Sequence, residues 1–174
     1  MDSAEEDYIA DSPISDPDLV LYTDGSRRLV EGSYQTGWAV VDDTGATREQ
    51  GTLDGDTSAQ VAELVSLTAV LCMGAGKRVN IFTDRQFAFE VVHDYMTAWR
   101  PRGFIMAGGS QIKYENTVRD LVVAARLPLL AAIVKIKAHQ QASTTEQLGN
   151  HWADQAAKAA LGAPLTPRTR CACE

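Results

Sequence analysis

The chain has 174 residues, 45% of them hydrophobic and 22% charged, the composition of one folded domain with a sizeable apolar core. That excludes a disordered chain, a collagen and a small disulfide-knotted domain. No run reaches the roughly 18 apolar residues of a bilayer span, and the N-terminus MDSAEEDYIADSPISDPD is acidic where a secretion signal is basic and then apolar. The chain therefore reads as soluble, with no membrane partner. Three cysteines make no even-numbered framework, and Cys72 falls in an apolar helical run where a thiol behaves as a small hydrophobe, which suits a reducing, intracellular setting.

The net charge of −7 argues against a nucleic-acid partner until the charges are located. Residues 1–18 hold seven acids and no base, so the rest of the chain is neutral. Within it, residues 19–76 have three bases and eight acids, whereas 77–137 have ten bases and five acids. The body is polarised into an acidic and a basic part, or else these are ordinary charges on solvated faces.

In chain order, 1–18 reads as an acidic, disordered leader, 19–162 as the domain proper and 163–174 as a linker or tail, which implies a segment of a larger polypeptide. LVLYTD (19–24) is a strand stopped by a Gly25-Ser26 turn. GWAVVDDTG (37–45) and ATREQGTL (46–53) form a hairpin around Asp-Thr-Gly. From Ser58, the residues Val61, Leu64, Val65, Thr68, Leu71 and Cys72 fall at helical intervals up to Gly74. RVNIFTD (78–84) is a strand, and 86–99 a helix stopped by Pro101. A flexible stretch over 103–109 precedes a helix over 115–126, a buried strand over 129–137, a loop with His139, and a last helix over 146–161. This order predicts an α/β fold, a mixed sheet covered by helices on both faces.

Two strands end in the same phrase, Thr23-Asp24 and Thr83-Asp84. In open α/β sheets ligands gather at the carboxyl ends of neighbouring strands, so these aspartates lie side by side if their strands are adjacent. Glu63 is the lone acid of an apolar helix, and Asp154 lies in the first half of the last one. Singly, each has an ordinary role: a turn former before glycine, a solvated helix acid, an acid favoured near a helix N-terminus. Converging, four carboxylates repel by about 4 kcal/mol per pair at 4 Å and an effective dielectric near 20. A divalent cation removes that penalty, and all-oxygen ligands favour Mg²⁺ or Mn²⁺ over Zn²⁺.

YTDGS (22–26), QVAEL (60–64), TDRQFAF (83–89), KAHQQ (137–141) and GNHWADQAAK (149–158) resemble the successive signatures of retroviral ribonuclease H, most of all the gammaretroviral type. The resemblance spans about 19–161. It implies the ribonuclease H-like fold, a five-stranded mixed sheet of order 3-2-1-4-5, and endonucleolytic cleavage of the RNA strand of an RNA/DNA hybrid. It also implies two Mg²⁺ or Mn²⁺ ions on Asp24, Glu63, Asp84 and Asp154, with His139 as the loop histidine that assists proton transfer or product departure. Gln60 and Ser26 become contacts to the hybrid, and Arg100 and Arg102 lie in a segment similar to the family's basic protrusion. Recognition would be by shape, phosphates and 2′-hydroxyls.

The chain departs from that pattern at Arg85, where the family usually has Ser, at Phe87, where a Tyr commonly touches the nucleic-acid backbone, and at Ala138, where Gly usually precedes the histidine. Arg85 either pairs with a phosphate or neutralises Asp84. With the acidic leader, these departures suit a retroviral segment captured in a host protein, monomeric as an isolated domain and cytoplasmic or nuclear, or in the virion if viral. The rival reading is a domain that keeps the fold and binds nucleic acid or protein without cleaving. An integrase or transposase core of related fold leaves His139 and the fourth acid unexplained. Cys171-Ala172-Cys173 has no second ligand pair for zinc.

Overall fold

The structure is a computed structural model that describes Ala10 and residues 12–54, 59–84, 115–136 and 145–161. Its elements are β1 (Leu19–Val30), β2 (Ser33–Asp42), β3 (Thr47–Asp54), α1 (Ala59–Met73), β4 (Arg78–Thr83), α2 (Glu115–Ala125), β5 (Leu130–Lys135) and α3 (Thr145–Ala159). The helix expected over 86–99 and the flexible stretch over 103–109 lie outside the described residues.

The strands form one sheet in the order β3-β2-β1-β4-β5. β1 pairs antiparallel with β2, and β2 with β3, while β1–β4 and β4–β5 are parallel, so the sheet is mixed as expected. Strand alternation sorts the core onto two faces. Leu21, Val40, Ile81 and Ile133 pack with Leu64, Leu67 and Leu71 of α1 and Leu121 of α2. Their chain neighbours Tyr22, Val41 and Phe82 point the other way and pack with Ala153, Trp152 and Ala156 of α3. Helix α1 is wedged between sheet and α2, which is why residues on most of its circumference are buried and its apolar pattern is broad.

Two details differ from expectation. β1 does not stop at Gly25-Ser26: it stays paired with β2 out to Val30↔Ser33, and the chain reverses at Glu31 and Gly32, with φ of 50° and 85°. Both central residues are left-handed, as a two-residue hairpin consistent with strand twist requires. Cys72 is half-buried against the core, but it is disulfide-bonded and no free thiol; the other cysteines, Cys171 and Cys173, lie outside the described residues.

The described part of the leader is tied to the sheet. Ala10 donates its amide to Ala131 O at 3.2 Å and accepts from Ile133 N at 2.9 Å, covering the outer edge of β5. Ile14 then exchanges two hydrogen bonds with the Asn80 side chain, 2.9 and 3.1 Å, and Asp18 N reaches Arg78 O at 2.7 Å. Asn80 is a buried polar residue in mid-strand, and the leader backbone is what satisfies it.

Candidate active site

β4 ends at Thr83, whose register partner is Thr23, so Asp24 and Asp84 each follow one residue of the same rung on adjacent strands. Asp24 is not at a strand terminus. It lies where β1 loses its β4 neighbour and continues against β2 alone. Its side chain is buried, and the Gly25 amide donates to Asp24 Oδ1 at 2.8 Å, holding the carboxylate toward that rung. Asp84 is half-buried, and its Oδ1 is shielded from solvent.

Glu63 reaches the same place through α1. Ser66, one turn further along, has its hydroxyl hydrogen-bonded to that of Thr23, and both oxygens lie within reach of Ala39 O, at 3.4 and 3.2 Å, so one hydroxyl donates to the other and the second donates to the carbonyl. This buried clamp sets the rotation and height of α1 on the sheet. Thr23, Asp24, Gly25, Glu63, Ser66 and Thr83 line one shallow cleft. Sequence reasoning missed Thr23 and Ser66 as supports; the available signal was a serine on the buried side of an otherwise apolar helix. Gln60 is half-buried one turn before Glu63, and Ser26 is half-buried on the same face of β1 as Asp24.

Helix α3 brings Asp154 up by close backbone approach. A Cβ on Gly149 would lie 2.3 Å from the Tyr22 ring, and one on Gly37 would lie 2.3 Å from Ala157 O. Only glycine fits at either point. Gly37 is the register partner of Ser26. Eight helical residues from Gly149 to Ala157 rise about 12 Å, and four strand residues from Tyr22 to Ser26 rise about 13 Å, so α3 runs alongside β1. Asp154, about 7.5 Å past Gly149, is thereby level with Asp24, about 6.6 Å past Tyr22. The Tyr22 ring stacks on Phe82 with centroids 5.2 Å apart. Burial first, then the negative charges of Glu146 and Asp43, raise the Tyr22 hydroxyl to about 12, so it stays neutral and serves as the platform for Gly149.

Asp154 does not point freely at the cleft. Its Oδ2 is 2.8 Å from Lys158 Nζ, one turn on. Among the described residues no three His, Cys, Asp or Glu side chains converge closely enough to hold a metal ion. The structure thus joins Asp24 and Glu63 in one cleft, sets Asp84 at the adjoining strand end, and keeps Asp154 level with Asp24 in an ion pair. Arg85, Phe87, Arg100, Arg102 and His139 lie outside the described residues.

The pattern of the family described as RNase H matches residues 16–162, nearly the whole described chain. The chain belongs to the RNase H family. Its relatives make this RNase H domain retroviral in type. It is 40% identical over 157 residues, 90% of the chain, to the Pol polyprotein of Radiation murine leukemia virus (strain Kaplan). It is 38% and 36% identical to the Gag-Pol polyproteins of Walleye dermal sarcoma virus and Feline leukemia virus, over 88% and 87% of the chain. The chain spans 27% of the first of these proteins and 9% of each of the other two. In fold it is similar to the solution structure of the PFV RNase H domain, with a TM-score of 0.68 and 19% identity over 83% of this chain and 94% of that one. It is also similar to the foamy viral protease-reverse transcriptase in complex with RNA/DNA hybrid, with a TM-score of 0.67 and 20% identity over 86% of this chain and 20% of that one. No helix among the described residues is long and apolar enough to cross a membrane.

Proposed function

We propose that this RNase H domain hydrolyses the RNA strand of an RNA/DNA hybrid, using two Mg²⁺ or Mn²⁺ ions held by Asp24, Glu63, Asp84 and Asp154. The observation that carries the reading is the Thr23↔Thr83 rung, which places two aspartates on neighbouring strands beside a cleft that Glu63 also lines. A hybrid is the substrate class to test first, because a structurally similar foamy viral protein is held in complex with one.

The donor set fits hard divalent cations. Every ligand is a carboxylate oxygen, and one of them, on Asp84, is already removed from water. When bound, such ions supply positive charge at the scissile phosphate and lower the pKa of the attacking water. The protein's own part is to hold the acids. The Gly25 amide orients Asp24, the Thr23–Ser66 clamp fixes the helix that bears Glu63, and Gly149 against Tyr22 sets the height of Asp154. Ser26 and Gln60, with Arg85, Phe87, Arg100 and Arg102, are the proposed contacts to the hybrid backbone, and His139 the proposed aid to proton transfer or product departure.

The test is cleavage of an end-labelled hybrid at low salt with either ion. Wild-type protein should cut the RNA strand and leave the DNA intact, and Asp84→Asn should fall to the level of a chelated sample. Silence from folded wild-type protein with both ions would overturn the reading. A second reading, a binding module that no longer cleaves, is favoured by one observation: Asp154 already has a cation, that of Lys158.

A further inference from the structure

We infer that Lys158 is a positioning residue that competes with the divalent cations for Asp154, and so sets how much free Mg²⁺ or Mn²⁺ the site requires. The inference rests on the two-metal reading above. Lys158 Nζ lies 2.8 Å from Asp154 Oδ2. The pair sits on one helix with the acid four residues before the base, the order that an α-helix favours, so it forms with α3 itself.

An ammonium at that distance neutralises the carboxylate and repels an arriving divalent ion. For the Asp154 oxygen to turn to a metal, Lys158 must release it, and the flexible four-carbon stem of lysine lets the ammonium return to water. Both side chains keep contact with solvent, 42% and 29% exposed, so the hold is that of a surface pair. It therefore shifts metal affinity by a modest factor, about three- to fivefold, and does not block the site. Asp24 is met by a backbone amide, and Glu63 is borne by a helix fixed through hydroxyls. A change at Lys158 leaves both of those supports in place.

The experiment is a calorimetric titration of Mn²⁺ into the whole chain at low salt, comparing wild type, Lys158→Gln, Lys158→Arg and Asp154→Asn. Lys158→Gln should bind the ion about three- to fivefold more tightly. Lys158→Arg, which keeps the charge, should bind no more tightly than wild type. In an Asp154→Asn background, Lys158→Gln should change nothing. The Mn²⁺ concentration for half-maximal cleavage should fall by the same factor in Lys158→Gln. Equal or weaker binding by Lys158→Gln overturns the inference while leaving the two-metal reading in place. Failure of the wild type to bind Mn²⁺ at all overturns that reading, and is seen before any variant is compared.

Discussion

The two halves of the proposed site are held by different kinds of force. On the sheet side, Asp24 and Asp84 are fixed by the hydrogen-bond register of parallel strands, and α1 is clamped through Thr23, Ser66 and Ala39 O. On the α3 side the helix is placed by shape: Gly149 against Tyr22, Gly37 against Ala157 O, and Gly45 against the Trp152 ring. Backbone register tolerates changes of side chain, because the ladder does not depend on them. A fit between glycines and their neighbours does not, because one methyl group fills the whole gap. The first half is therefore robust and preformed, and the second is the place where small changes separate Asp154 from the other acids.

Gly37→Ala should have the largest effect. Its Cβ would meet backbone, Ala157 O at 2.3 Å, and β2 is paired on both sides, so the helix is what must move. Overpacking of this kind costs about 1–3 kcal/mol, and each kcal/mol lowers the melting temperature by about 2–4 °C in a chain of this size. Gly149→Ala meets the buried Tyr22 ring at the same distance, but alanine gains about 1 kcal/mol over glycine in a helix, so its net cost should be smaller. If the comparison is right, both variants weaken metal-dependent cleavage more than their stability loss explains. Thermal melts paired with cleavage rates measured well below the transition separate the two effects. Rates unchanged in folded protein would mean that the height of α3 does not control Asp154.

Next comes the sheet side, broken without touching the site. Asn80→Ala removes the side chain that exchanges two hydrogen bonds with Ile14. Leaving those part-buried backbone groups unpaired costs about 1–3 kcal/mol. Urea denaturation should show that loss, with cleavage by the folded protein unchanged. A fall in cleavage matching the Gly37 variant would show the sheet half to be no more robust than the α3 half.

The same contrast explains what was legible in the sequence. The positions of the described strands and helices follow from apolar runs and periodicity, which are local and strong, whereas the sheet order 3-2-1-4-5 was legible only through the family resemblance, and the sorting of Leu21 from Tyr22 or Ile81 from Phe82 was not legible because both members of each pair are apolar. The extent of β1 was not legible, because Asp24-Gly25 has turn composition while the real reversal at Glu31-Gly32 lacks the usual Asn or Asp. Nor was the docking of Ala10 and residues 12–18, where acids and prolines conceal a segment held by its backbone to Asn80. The four acids were visible as strand-end and helix acids and through the family resemblance. Their division into a cleft pair, a strand-end neighbour and an ion-paired outlier was not, because Lys158 looks like any base on a solvated helix face. Periodicity reports which face is buried, and says nothing about which charge a carboxylate meets.

The smallest expected effect lies at the rim of the α3 dock. Asp42 closes the β2–β3 turn: its Oδ1 accepts from Thr44 N at 2.9 Å and Ala46 N at 3.1 Å, and its Oδ2 faces Arg48 at 3.5 Å. That turn carries Gly45, whose missing side chain makes room for Trp152 of α3. Burial tends to raise the Asp42 carboxyl, but the hydrogen bonds from Thr44 and Ala46 and the contact with Arg48 together outweigh it, and the pKa ends below 3.8. A carboxyl depressed in the folded state stabilises fully above its unfolded pKa, and loses that contribution as pH falls through the folded value. Since Asp42 is half-buried at the surface and its partner Arg48 is exposed, Asp42→Asn should cost about 0.2–1 kcal/mol at pH 7. In urea melts the gap between wild type and variant should persist down to about pH 5 and close below the ordinary aspartate pKa near 4. A gap that survives at pH 3 would mean that the geometry of the turn, and not its charge, holds Gly45 under Trp152, which would extend the rule of shape over electrostatics to the whole α3 side.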